Sequence, residues 1–133
     1  MEIMIDTNII ISAALFPNER MNRFIGVISG EHQLFLCSYS LKELERVIKR
    51  KFASRLKKME LFLQKLPYTL IHTPSVNILN SEIVIRDTKD YPILASAIIA
   101  DVDVLITGDA DFDKVELERP EILTISAFMK RYH

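Results

Sequence analysis

"EIMIDTNIIISAALFP", residues 2 to 17, is the stretch on which the fold turns. A short apolar run, "EIMI", meets Asp6, Thr7 and Asn8, all residues that start helices well, and then "IIISAALF", which Pro17 closes. This predicts a strand that feeds a helix directly, with an acid at the junction. The same grammar recurs further on, where "DVLIT" (103–107) is a continuous apolar strand that runs into Gly108 and Asp109, with Asp111 and Asp113 at alternate positions after it.

Between these two stretches, a second helix is expected from about Arg20 to Ser29, bounded by Gly30, followed by a buried strand at "LFLCS" (34–38). Ser40 opens an amphipathic pattern at Leu41, Leu44, Val47 and Ile48 that continues through Phe52, Leu56, Met59, Leu63 and Leu66 to Pro67, as one helix or a pair. "YTLIHT" (68–73) is a third strand, with a loop from Pro74 to about Lys89. From Asp90, "DYPILASAIIA" carries Pro92 in its first turn and apolar residues almost all round, as a buried helix does. "ILTI" (122–125) is the last strand, before a helix at "SAFMKRY". Strands apolar on both faces that alternate with helices predict an α/β fold: a three-layer αβα sandwich around a central, mostly parallel sheet of four to five strands.

The 133 residues suit a single domain, 1–133. Hydrophobic residues make up 49% and charged residues 26%, an ordinary soluble composition. Cys37 is the single cysteine, which excludes an internal disulfide and any zinc site built from several thiolates, and fits a reducing cytoplasm. No apolar run approaches the roughly 20 residues that span a bilayer, and no export leader is seen, so no membrane is implied. The net charge of −1 hides a segregation: Arg46, Lys49, Arg50, Lys51, Arg55, Lys57 and Lys58 fall together with no acid among them, leaving 10 basic and 18 acidic residues elsewhere. Such a stripe is either a solvated helix face or a phosphate-contacting surface.

In an open parallel sheet, strand C-termini and helix N-termini share one edge, where ligands bind. Asp6, Glu43, Asp90 and Asp109 all fall at such junctions. Each also has a simple structural explanation: Asp6 and Asp90 as helix N-caps, Glu43 as the partner of Ser40 in a capping box, Asp109 as a turn residue. Capping does not explain the further acids beside Asp109. Carboxylates clustered in a partly buried pocket stay ionised together only beside a cation, and oxygen ligands without histidine suit Mg²⁺ or Mn²⁺. A calcium loop from Asp109 is excluded because its sixth and twelfth positions are Lys114 and Pro120. His32, His72 and His133 have no ligand spacing and belong to packing or the surface.

"IDTNIIISA" (5–13), "SLKELERVIKRKF" (40–52) and "DTKDYPILASAIIADVDVLITGDADF" (87–112) give the chain a resemblance to PIN-domain nucleases, close to the VapC-like toxin component of toxin–antitoxin systems. The resemblance implies that Asp6, Glu43, Asp90 and Asp109 are the acidic metal-binding and catalytic residues, that Asp111 adds a further acid, and that Thr7, Asn8 and Thr107 support them. It implies a Mg²⁺- or Mn²⁺-dependent ribonuclease of single-stranded RNA, with a protein antitoxin as partner and a homodimer as its assembly. The basic stripe, through Arg46, Lys49 and Arg50, is a candidate RNA contact. Phe24, Ile25, Phe62 and Phe128 are either core or dimer surface. Two other readings stand beside the toxin: a housekeeping RNA-processing nuclease, and a non-catalytic RNA-binding or assembly module. A haloacid-dehalogenase-like phosphatase would need a second acid where Asn8 stands.

Overall fold

Along β1 (Glu2–Ile5), Ile3 and Ile5 enter one hydrophobic cluster and Met4 enters another, because successive side chains of a strand point to opposite faces. The same division holds in β2 (Gln33–Cys37), where Leu34 and Leu36 oppose Phe35 and Cys37, and in β4 (Val104–Ile106), where Val104 and Ile106 oppose Leu105. The sheet is therefore covered on both faces. In the computed structural model, which describes residues 1–74, 91–108 and 117–133, the order is β1, α1 (Thr7–Leu15), α2 (Glu19–Gly30), β2, α3 (Ser38–Lys51), a 3₁₀ turn (Ala53–Arg55), α4 (Leu56–Lys65), β3 (Thr69–Ile71), α5 (Tyr91–Ala100), β4, β5 (Glu121–Leu123) and α6 (Ile125–Tyr132).

Among the described residues all pairings are parallel, and the five strands lie in the order β3-β2-β1-β4-β5. The chain steps outward from β1 to β3, then returns across the sheet to β4. Right-handed crossovers require the helices of the outward steps on one face and the helix of the return step on the other. That is where they sit: α1 to α4 contribute to the first cluster together with α6, and α5 contributes Ile93, Leu94 and Ala97 to the second. The α/β sandwich with a parallel sheet is as the sequence predicts, at the upper end of the expected strand count.

Phe24 and Phe128 are fully buried and meet edge to face at 6.1 Å, so both are core; burial of each such ring stabilises by about 1.5–3 kcal/mol. Ile25 and Phe62 are partly buried against the same cluster. Among the described residues, the exposed large apolar ones are instead Met1, Phe16, Leu61, Leu70 and Ile99. No described helix is long and apolar enough to cross a membrane.

Three local expectations are corrected. The α3 helix begins at Ser38, straight off β2, with Cys37 as its cap residue; Ser40 is fully buried with its hydroxyl 3.2 Å from Cys37 Sγ, so Ser40 and Glu43 form no capping box. Glu43 consequently lies in the second turn and not the first. The β3 strand stops at Ile71 because the Thr73 N–H turns aside to bond Ser38 Oγ at 2.9 Å. The β5 strand ends at Leu123 because Thr124 leaves it to cap α6, accepting from Ala127 N at 3.1 Å.

Candidate functional site

The strand order reverses between β1 and β4, and their C-terminal ends carry Asp6 and Thr107. Such a reversal leaves a crevice outside the strand ends. Asp6 is 4% exposed and Thr107 3%, an uncommon depth for a carboxylate. Bonds to its backbone and to both carboxylate oxygens hold it there. Asp6 N donates to Ile106 O at 3.2 Å, Ile9 N donates to Asp6 Oδ1 at 3.0 Å, and Thr107 Oγ1 donates to Asp6 Oδ2 across 101 residues of sequence. Asp6 is thus the N-cap of α1, at the positive end of that helix's dipole. The cap explains one oxygen of the carboxylate; the Thr107 hydroxyl on the other is a separate device.

Thr7 is also buried, and its Oγ1 has no hydrogen-bond partner among the described residues. A buried hydroxyl without a partner costs free energy, so this is a place where a water or a ligand's oxygen belongs. Asn8, next along, is exposed on the first turn of α1.

Glu43 is half-buried on α3, whose start follows β2, the strand next to β1. Tyr39, one turn earlier, donates from its phenol to Glu43 Oε2 at 3.4 Å. Burial pushes the Tyr39 phenol above its ordinary range, Glu43 pushes it further, and the Arg46 guanidinium pulls it part of the way back. Tyr39, Glu43 and Arg46 therefore share a stripe of α3, at i, i+4 and i+7. The Tyr39 backbone is held by Thr73, whose Oγ1 accepts from Tyr39 N at 3.0 Å and lies 3.0 Å from Ser96 Oγ on α5. The sequence singled out neither Tyr39 nor Thr73. The i−4 spacing of Tyr39 from Glu43 was the available signal for the first, and nothing local marks the second.

The basic stripe divides. Lys42, Arg46, Lys49 and Arg50 line a surface depression of about 550 Å³ along α3, with Glu45 among them, and Lys49 is bound to Glu45 at 2.7 Å. Lys49, Arg50 and Lys51 also occupy the last turn of α3, where cations complement the helix dipole. Arg55 is structural: its guanidinium lies 5.3 Å from the Phe16 ring centroid and donates to Leu15 O at 3.3 Å.

Asp90, Asp109 and Asp111 lie outside the described residues, as do Asp113 and most of the 74–89 loop. Their chain neighbours are described. Tyr91 opens α5, and Thr107 and Gly108 follow β4. Among the described residues no group of three or more His, Cys, Asp and Glu is gathered closely enough to hold a metal ion. Of the four acids expected at the site, Asp6 and Glu43 are described: Asp6 directly follows β1, and Glu43 lies in the second turn of the helix that follows β2.

A family model described as PIN domain matches residues 2–111. Among solved structures, the chain is similar to one in the crystal structure of VapBC2 from Rickettsia felis bound to a DNA fragment from their promoter, with a TM-score of 0.74 at 20% identity. The likeness covers 92% of this chain and 97% of that one, and at this identity it is a likeness of fold. No curated protein matches.

Proposed function

The chain belongs to the PIN-domain family, and from that premise we propose that it is a divalent-metal-dependent endoribonuclease of single-stranded RNA, acting as the toxin of a toxin–antitoxin pair. The observation that carries the proposal is the buried Asp6–Thr107 pair at the strand-order reversal. A carboxylate sunk this far, with a hydroxyl from a distant strand end aimed at it, is more than a helix cap. PIN domains are generally nucleases, and an acid at this crevice is what their chemistry uses.

The residues fit Mg²⁺ or Mn²⁺. Asp6, Glu43, Asp90 and Asp109 would hold the cation, with Asp111 beside them; all are hard oxygen donors, and a carboxylate has about four lone-pair sites, enough for a helix N–H, a hydroxyl and a cation together. The buried Thr7 hydroxyl without a partner suits the hydration shell such cations keep. When bound, the cation supplies activation of water and neutralisation of charge on the scissile phosphate.

The protein's own contribution is positional. Thr107 and the Ile9 N–H fix the Asp6 carboxylate in one orientation, so no side-chain freedom is lost when the site loads. One of these carboxylates takes the proton of the attacking water, and Glu43, less buried than Asp6, is suited to it. Arg46 and Arg50 contact backbone phosphates and offset the repulsion between RNA and an acidic crevice, with Lys49 as a weaker third. Hydrolysis this way leaves a 5′ phosphate and a 3′ hydroxyl.

The VapBC2 structure is of a complex bound to promoter DNA, and the shared fold supports a protein antitoxin as this chain's partner too. A homodimer in the cytoplasm completes the reading, and residues 1–133 act as one domain. The test is cleavage of an unstructured RNA by the partner-free protein with Mn²⁺, with EDTA, and in Asp6→Asn. Cutting that needs both the metal and Asp6 supports the nuclease. RNA binding with no metal-dependent cutting would assign the chain to a non-catalytic RNA-binding module.

A further inference from the structure

Phe16 closes α1 as its C-cap residue and is 49% exposed, yet its ring is held from two sides. The Arg55 guanidinium lies over it at 5.3 Å from the centroid, and Phe52, the cap residue at the end of α3, meets it edge to face at 5.7 Å. Arg55 is itself anchored, donating from Nη1 to Leu15 O at 3.3 Å, one residue before the ring it covers. Phe24 and Phe128, which also meet edge to face, are fully buried. A ring that serves the core is covered, whereas Phe16 is fixed in place while half of it stays open to water. Little side-chain freedom is then lost when a ligand stacks on it.

The surroundings of this ring are cationic. From Arg46 to Lys58 the chain holds seven basic residues and no acid, and Arg50, Lys51, Arg55, Lys57 and Lys58 among them are exposed. The depression lined by Lys42, Arg46, Lys49 and Arg50 extends along α3 and ends two residues short of Phe52. A ligand that fits both features alternates anionic links with flat aromatic faces. Single-stranded nucleic acid is such a ligand: its phosphates pair with the cations, and any of its bases can stack on a ring. An apolar peptide would leave the cations without counter-charge.

We propose that Phe16, backed by Arg55 and Phe52, is a base-stacking subsite for single-stranded RNA at the end of the basic stripe of α3. It lies away from the acids. Because α1 and α3 both start at the C-terminal ends of parallel strands and run back along the sheet, their own ends, which carry Phe16 and Phe52, reach its opposite edge. The subsite holds the strand at a distance from the cleaved bond and takes no part in the chemistry. Stacking tolerates any base, so the contact adds affinity and not a choice of sequence. The inference rests on the RNA half of the reading above and makes no use of the cation.

The test is RNA affinity by fluorescence anisotropy in EDTA, where metal-dependent cutting plays no part, with an unstructured strand of about 12 nucleotides, within the span of single-strand sites. Phe16→Leu keeps an apolar side chain and removes the ring; it is expected to weaken binding about tenfold, within the range for one stacked base. The salt slope is expected to stay the same, because stacking releases no counterions. Phe16→Tyr keeps the ring and is expected to bind as the unaltered protein does. A strand of the same length with abasic sugars throughout is expected to bind more weakly and to be insensitive to Phe16→Leu. Equal affinity of Phe16→Leu and the unaltered protein for the normal strand would overturn the proposal and leave the patch to a protein partner. A loss of the same size on the abasic strand would overturn it too. RNA bound in EDTA with no metal-dependent cutting would remove the nuclease and leave the subsite standing, whereas no RNA bound by the unaltered protein would remove both.

Discussion

Thr107 Oγ1 donates its proton to Asp6 Oδ2, joining the C-terminal ends of two neighbouring parallel strands at the point where the sheet reverses its order. The bond is buried at both ends. Its acceptor is also the cap of α1, so structural and chemical roles meet in one carboxylate and need to be separated by substitution.

Asp6→Asn separates them. Asparagine caps a helix about as well as aspartate, so the variant is expected to keep α1 capped and to fold, losing at most the charge-assisted Thr107 bond, about 1.5–3 kcal/mol. Metal-dependent RNA cleavage is expected to disappear. Urea denaturation alongside the cleavage assay checks both, and full activity in Asp6→Asn would reduce the residue to its capping role.

Thr107→Val keeps the shape and deletes the proton donor to a buried carboxylate. Hydrogen bonds to charged groups contribute about 1.5–3 kcal/mol, and the loss should fall in that range. Thr107→Ser is expected to recover most of it. Equilibrium unfolding of the two variants is the measurement; equal stability of Val and Ser would mean the bond carries nothing.

Mg²⁺ or Mn²⁺ should stabilise the folded protein by mass action, by about 2.7 kcal/mol at roughly a hundredfold excess over Kd. Thermal unfolding with and without the metal reads this directly. Asp90→Asn is expected to shrink the response while leaving the metal-free melting temperature equal or raised. A metal response unchanged by the substitution would leave Asp90 as an N-cap only.

The basic stripe should act unequally. Arg46→Gln and Arg50→Gln are each expected to weaken RNA binding and lower the salt slope by about 0.7, the increment for one single-strand phosphate contact. Lys49→Gln should do less, because Lys49 is already bound to Glu45. RNA titrations at several salt concentrations test the ranking, and an effect of Lys49 equal to that of Arg46 would contradict it.

The three central strands, β1, β2 and β4, were legible in the sequence because they are short and buried on both faces, so each appears as an unbroken apolar run before helix-start or turn residues. The strand–acid–helix junction at Asp6 is visible for that reason, and Thr107, which the family resemblance implies as a support, bonds Asp6. The start of α3 was not legible. Ser40 and Glu43 carry the capping pattern, but β2 delivers the chain into the helix two residues earlier and turns Ser40 inward to Cys37. Tyr39 escaped notice because its partners lie on its own helix and on β3's far end, and a tyrosine after a strand has no signature. Phe24 and Phe128 were equally consistent with core or dimer surface until packing placed them against each other. Arg55 belonged to the basic run by charge alone, and its contact with Phe16 shows its role to be packing.

The central claim is that the crevice at the ends of β1 and β4 takes a hard divalent cation between acids brought together by the sheet. Crystals grown with Mn²⁺ and measured near its absorption edge test this most directly. The expected result is an anomalous peak at coordination distance from the Asp6 carboxylate and from at least one of Glu43, Asp90 and Asp109. A map with no peak at Asp6 under saturating Mn²⁺, or with peaks only elsewhere on the surface, would contradict the account.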